Sequence, residues 1–273
     1  MNRWLLLVVF CVMGCAKPRT TLRPMPAGNP EVLVAHARGQ SFKGALHGKF
    51  SVRLNTGDRD VTLPASVLIN HPDQFRVELL SPLGTPLMYV TSDGQSLHAW
   101  SQRDKVFYRG DDATDVLHGL TGGSIGLDDF LALFTARLPM VDAEILHVGR
   151  TIFDDQGVVL IMLGPDDMRV RAVVDPQTGL VRSLRVDPPG QKSGFDEPEG
   201  EPLILVTYEG LERGNKLVLP QNIRILIPKL GWTVEMEAKK WRPIEQVPDA
   251  FSLAPPKSST VKDLTEAVRQ FEK

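Results

Sequence analysis

The stretch Arg76-Val77-Glu78-Leu79-Leu80-Ser81-Pro82-Leu83-Gly84-Thr85-Pro86-Leu87-Met88-Tyr89-Val90-Thr91 decides the fold. Two apolar, strand-like runs meet at Ser81-Pro82-Leu83-Gly84. Pro82 pre-sets φ at the corner of a turn, and Gly84 supplies the φ > 0 position that such a turn often needs. Leu83 stands where turn chemistry favours Asn, Asp or Ser. It either folds back onto the core or is presented to water for contact with lipid or a partner. Single exposed apolar residues are common, so the turn by itself leaves both readings open.

Period-two patterning continues on both sides of this hairpin. Upstream, Leu46, Gly48, Phe50, Val52 and Leu54 alternate with His47, Lys49, Ser51 and Arg53, as a half-buried strand requires. Further strands are expected at 61–70, 74–80, 87–91, 96–101 and 105–109, separated by turn signals such as Asn55-Thr56-Gly57-Asp58 and Ser92-Asp93-Gly94. Strands resume at 145–153, 158–163, 168–174, 181–186, 203–209, 222–227 and 233–241. Residues 188–202 are polar and rich in Gly, Pro and Glu, the composition of a long loop.

Helical pieces interrupt the meander. Asn29-Pro30 resembles an N-cap with Pro at the first helical position, opening a short helix over 31–38. Residues 111–120 carry acidic residues at their start, as the helix dipole prefers. The segment 127–138 is apolar on most faces and ends at Pro139. A helix of that kind must be covered on more than one side. Thr260…Asp263 offers a capping box for an amphipathic helix over 260–273, with Val261, Leu264, Val268 and Phe271 on one face. About a dozen antiparallel strands are too many for a flat open sheet, which would curl or close. The economical solution is mainly β: a curved antiparallel sheet with the apolar helix over its concave side and room for a cavity.

Composition removes several function classes. A net charge of −2 gives no basic footprint, and no Lys/Arg cluster compensates, so no nucleic-acid partner is expected. The two cysteines, Cys11 and Cys15, leave no thiol for a disulfide or metal within the folded part. The six histidines lie singly, without metal-ligand spacing. Asp111-Asp112, Asp128-Asp129, Asp154-Asp155 and Asp166-Asp167 sit at helix starts or turns, where Asp is explained by capping. There is no Gly-x-Ser-x-Gly, and the glycine-rich 119–126 lacks the Lys-Ser/Thr of a phosphate loop. A protein without enzymatic activity, cofactor or metal is expected.

The N-terminus points to a membrane. Met1-Asn2-Arg3 is a positive n-region and residues 4–12 are an apolar run too short to span a bilayer, as in an export signal. Val12-Met13-Gly14-Cys15 resembles the lipobox of bacterial lipoproteins, with Met13 in a position more often small; the alternative is an ordinary secretory signal with an incidental cysteine. Acylated at Cys15 with several chains, the protein would be held firmly. Ala16, in place of a retaining Asp, favours the outer membrane. Residues 17–28 carry three prolines and no apolar periodicity, as a tether would.

This order of elements resembles the LolA/LolB superfamily of periplasmic lipoprotein-handling proteins, and within it the outer-membrane receptors of LolB type. Four features carry the likeness: the lipobox Cys15 with its tether; Phe75 to Gly84, ending in Ser-Pro-Leu-Gly; Asp111-Asp112-Ala113 with Leu120-Thr121-Gly122, Leu127 and Leu138-Pro139; and Val247-Pro248-Asp249-Ala250-Phe251-Ser252-Leu253. The resemblance implies an incomplete barrel lidded by helices around a hydrophobic cavity for acyl chains of lipoproteins or another lipid. It implies a periplasmic carrier protein as donor. It also implies that Pro82, Leu83 and Gly84 form a protruding loop that helps insert cargo into the membrane. Phe130, Leu131, Leu133 and Phe134 would be the lid, with Phe50, Val52 and Val77 among the sheet residues beneath. The expected organisation is a signal peptide over 1–14, a lipidated N-terminus and tether over 15–29, the half-barrel over 30–256 and a C-terminal helix over 257–273. The 188–202 loop and the chain after Trp241 are not typical of LolB. A structural or accessory outer-membrane lipoprotein, binding a protein partner or another hydrophobic ligand, is the alternative.

Overall fold

The computed structural model describes residues 30–39, 44–121, 125–139, 143–150, 157–164, 167–190, 200–213, 218–245 and 250–271. Cys15, the tether, Asn29, Asp154, Asp155, Asp166 and residues 247–249 lie outside these. Helix α1 (Pro30–Arg38) is followed by β1 (Ala45–Asn55), β2 (Asp60–Asn70), β3 (Gln74–Leu80), β4 (Pro86–Asp93), β5 (Leu97–Ser101) and β6 (Val106–Gly110). Helices α2 (Ala113–Thr121) and α3 (Leu127–Phe134) come next. Then follow β7 (Glu144–Arg150), β8 (Val158–Leu163), β9 (Arg169–Val174), β10 (Val181–Asp187), β11 (Ile204–Glu209), β12 (Glu212–Arg213), β13 (Val218–Leu219), β14 (Asn222–Ile227) and β15 (Trp232–Ile244). The described chain closes with β16 (Thr260–Asp263) and α4 (Leu264–Phe271).

Among the described residues, fourteen strands form one open, curved sheet in the order β16-β6-β5-β4-β3-β2-β1-β15-β14-β11-β10-β9-β8-β7. Every neighbouring pair is antiparallel except β16 with β6. The two meanders, β1 to β6 and β7 to β15, join at the long central pair β1–β15, which runs from Ala45 opposite Ile244 to Asn55 opposite Thr233 with a bulge between Lys49 and Phe50. The chain therefore leaves the β6 edge and re-enters at the β7 edge. Helices α2 and α3 are that crossing, and it lies over the concave face.

Alternation decides which face is the core. Phe50, Ala65, Val67, Phe75, Leu160, Met162, Val170 and Ala172 point to the helices, and each is at most 3% exposed. Residues from α1, α2, α3, α4 and both halves of the sheet join in one hydrophobic cluster. Full burial of a large aliphatic side chain is worth ~1.5–3 kcal/mol, so this cluster is what holds the helices on the sheet. Glycine is needed where rings crowd the central pair. A Cβ on Gly48 would lie 2.5 Å from Phe50 and 2.9 Å from Trp241, whose rings meet edge-to-face at 4.9 Å.

Three expectations about helices are corrected. The segment 260–273 does not begin as a helix: Thr260–Asp263 pairs with β6, and α4 starts at Leu264. Asp263 caps it, its carboxylate accepting the Glu266 amide at 2.8 Å, so Thr260 plays no capping part. The helix expected over 127–138 ends at Phe134, because Ala136 turns into the left-handed region (φ 53°). There the Ala136 carbonyl accepts the Val181 amide at 2.9 Å and Arg137 N–H reaches back to Ala132 O at 3.0 Å, which docks the end of α3 on β10. The helix expected from residue 111 starts at Ala113; Asp112 precedes it as a cap, accepting the amides of Thr114 and Asp115 at 2.8 and 3.0 Å.

After β15 the chain is fastened across the outer face of β3 and β4. Thr91 Oγ1 donates to Phe251 O at 2.7 Å, and Arg76 donates to Ala250 O at 3.0 Å. This strap carries the end of the expected Pro-x-x-Phe feature, with Phe251 only 5% exposed.

Candidate functional site

The β3–β4 turn is built by its own hydrogen bonds. Ser81 N–H donates to Thr85 O at 2.7 Å, Gly84 N–H to Ser81 O at 2.8 Å, and Thr85 N–H to the Ser81 hydroxyl at 3.1 Å. Gly84 takes φ 81°, the left-handed region that Gly enters without steric cost. Pro82, Leu83 and Gly84 are all exposed, and Leu83 is 94% exposed. Of the two readings open from sequence, folding back onto the core is not what the chain does.

The other expected residues gather on the core face. Leu131, Leu133 and Phe134 of α3 are 0%, 4% and 7% exposed. Phe130 is half-buried, with its ring 5.2 Å from Phe134 and 5.2 Å from Phe75. Phe50 is buried, and Val52 and Val77 are half-buried in the same cluster. Phe75 belongs with this group, although from sequence it enters only as the start of the strand-turn feature and not among the residues expected beneath the lid. Its signal was available, since it alternates with Val77 and Leu79 along β3. The helix ends in buried polar residues. Thr135 donates to Ala132 O at 3.2 Å, and burial brings the Arg137 guanidinium down to about 10.

A cleft of about 450 Å³ opens on the opposite, outer face, over β1, β14, β15 and β11. Arg53, Arg224 and Glu235 line it, with Glu235 3.6 Å from each arginine; Arg53 also forks onto Asp60 at 2.6 and 2.9 Å. This face is polar and self-paired. Nearby, His47 and Ser66 lie 3.0 Å apart, as in a nucleophilic dyad. The tautomer is wrong for one. Arg242 Nε donates to His47 Nδ1 at 3.0 Å, so the ring proton is on Nε2 and is given to the serine oxygen. Burial first, then the Arg242 and Lys49 cations, hold that imidazole below its ordinary range. The serine gains no base.

Three solved structures share this architecture. A LolA superfamily protein from Nitrosomonas europaea is 15% identical, with 83% of this chain and 99% of that one covered at a TM-score of 0.54. The chain has the LolA/LolB-like fold. A DUF1329 family protein from Desulfovibrio piger superposes with 12% identity over 81% of this chain and 94% of its own, at 0.57. A Vibrio parahaemolyticus domain assigned to outer membrane lipoprotein sorting does so with 11% identity over 79% and 93%, at 0.54. No family model matches the sequence, and no curated protein matches it. At these identities the likeness is one of architecture, and within the LolA-like frame the residues must speak for themselves. What this chain places there is an apolar helix pressed into the concave face and a bare leucine at the tip of a hairpin.

Proposed function

We propose that this protein is an envelope lipoprotein, acylated at Cys15 and held at the outer membrane, that takes lipoprotein acyl chains beneath α3 and passes them to the bilayer at Leu83, with no catalytic step. The observation that carries this reading is Leu83, 94% exposed on a turn whose hydrogen bonds hold it outward. Val32, Val61, Leu146 and Val261 are exposed at 41–53%, whereas Leu83 is almost wholly in water at the tip of a turn, the placement that contact with an acyl boundary would use.

Magnitudes fit a lid that opens for an acyl chain. Displacing α3 exposes Leu131, Leu133 and Phe134, at a cost of roughly 5–9 kcal/mol for three large side chains. An acyl chain gains ~0.8 kcal/mol per buried methylene, so ten or so methylenes offset the opening. Uptake and release then lie close to balance, and a modest affinity difference of ~1.4 kcal/mol per tenfold sets direction without ATP.

A second reading keeps the interior permanently filled and makes the chain an accessory lipoprotein that binds a protein partner. The Phe75–Phe130–Phe134 contacts beneath α3 favour it. One experiment separates the two. A fluorescent acylated peptide is offered to the wild-type chain and to Leu83→Glu, and its uptake and transfer to liposomes are followed. The proposal expects uptake by both and transfer by the wild type alone. Absence of uptake by a folded wild-type chain overturns it in favour of the filled barrel.

A further inference from the structure

Strand direction gathers several turns at one end of the sheet. Antiparallel pairing of β1 to β6 puts residues 56–59, 81–85 and 102–105 there, and the parallel β16 brings residues 257–259 beside them. The turns on either side of Leu83 both carry cations. Arg59 stands in one, Arg103 and Lys105 in the other, and Lys257 lies just before β16; all four are exposed. Among the described residues no ion pair engages them. Their acidic neighbours are Asp58, Asp60 and Asp104; Asp60 is taken up by Arg53, and Asp104 accepts the Ser101 hydroxyl at 2.7 Å. Across the sheet, the exposed charges described at the same end over β7 to β11 are Glu144, Asp167 and Glu201, with Arg169 half-buried opposite Asp187; the exposed Lys229, in the turn between β14 and β15, stands between this acidic side and the basic turns.

Adjacent strands are ~4.8 Å apart, so each basic turn sits about 10 Å from Leu83. That is about one screening length, ~10 Å at 0.1 M salt. One leucine by itself is a marginal membrane anchor, as even a single long acyl chain is. Cations at that spacing make up the shortfall only if the surface is negative.

We propose that the Leu83 end docks on a bilayer whose headgroups carry net negative charge, with Arg59, Arg103, Lys105 and Lys257 on the phosphates and Leu83 in the acyl boundary. The acidic rim over β7 to β11 is repelled by the same surface and tilts the molecule so that the β3–β4 turn leads. This rests on the reading of Leu83 as a membrane-touching residue and adds the chemistry of its partner.

The test uses the chain from residue 15 onward bearing Cys15→Ala, without the expected signal segment 1–14, so that neither acylation nor that apolar, basic segment masks the contact. Co-sedimentation is measured with neutral phosphatidylcholine vesicles and with vesicles containing phosphatidylglycerol. Each cation near such a surface is worth about fivefold in affinity. The expected result is at least tenfold tighter binding to the anionic vesicles at 0.1 M salt. It should vanish at 1 M, where the screening length falls to about 3 Å. Arg103→Glu with Lys105→Glu should reduce anionic binding to the neutral level. Lys49→Glu with Lys240→Glu, the same charge change on the outer face away from the tip, should leave it in place. Arg59→Glu, on the other flank, serves if the first pair loses its fold. Equal binding to both vesicle types, or a tip variant that binds as the control does, overturns the proposal. Failure of the acyl-transfer reading looks different: charge-dependent docking would persist while acylated peptide is never taken up.

Discussion

Helix α3 and the β3–β4 turn carry leucines of equal intrinsic hydrophobicity in opposite surroundings. Leu131 is 0% exposed and Leu83 is 94% exposed. Both belong to the same wall of the molecule, since Phe130 in α3 packs on Phe75 at the other end of the strand that leads into the turn. The difference lies in what holds each. Leu131 is held in a hydrophobic cluster that draws on both halves of the sheet. Leu83 is placed by three local hydrogen bonds, from Ser81 N–H, Gly84 N–H and Thr85 N–H. One leucine belongs to stability and the other is free to serve function.

The largest effect should come from the buried side. Leu131→Ala removes a fully buried side chain from the main hydrophobic cluster and should cost about 2–5 kcal/mol. At a few degrees per kcal/mol for a domain of this size, the melting temperature should fall on the order of 10 °C. A loss below about 0.5 kcal/mol, measured by urea unfolding, would remove α3 from the core and break the contrast with Leu83.

How far this contrast was legible in sequence follows from the same distinction. The strands were readable because period-two alternation is local, as in Phe50, Val52 and Leu54 against Ser51 and Arg53. The hairpin turn was readable because Pro82 and Gly84 have local conformational reasons to be there. The exposure of Leu83 was not, since whether anything passes over a turn is a tertiary matter. Ala136 gave no warning that α3 ends two residues earlier; its φ of 53° is imposed by docking, through the Val181 amide, and alanine has no preference for it. Residues 260–263 looked like the opening turn of a helix because Thr and Asp fit a capping box. Their pairing with β6, about 150 residues away in the chain, wins. The apolar helix over a curved sheet followed from the strand count and from 127–138 being apolar on most faces; the resemblance added the lipid cargo and the protruding leucine, which periodicity could not.

An intermediate effect should come from the strap on the outer face. Thr91 is 1% exposed, and its hydroxyl serves Phe251 O at 2.7 Å and lies 3.1 Å from Phe75 O. Thr91→Val keeps the shape and removes the donor, leaving a buried carbonyl unsatisfied at roughly 1–3 kcal/mol. Amide exchange in 250–259 should quicken while that of α3 does not change. Equal acceleration in both would mean that strap and lid open together, and the two faces of the sheet could no longer be treated as separate.

The smallest stability effect should come from Leu83, and its smallness is the point. Leu83→Ala is the same chemical change as Leu131→Ala. At an ordinary exposed site it should move unfolding free energy by less than about 0.5 kcal/mol. Truncation leaves the turn intact, since the Ser81, Gly84 and Thr85 bonds do not involve the side chain. Any functional loss in this variant therefore cannot be charged to misfolding. If lipid transfer falls while the urea midpoint stays put, the leucine acts at the membrane. Leu83→Glu raises the stakes, because a carboxylate is harmless in water yet opposes entry into an acyl boundary, and it sits among the cations of the neighbouring turns. That variant should keep the wild-type melting temperature and transfer less than Leu83→Ala. Should both variants deliver cargo at the wild-type rate, the bare leucine has no membrane role and the contrast with α3 reduces to one of packing.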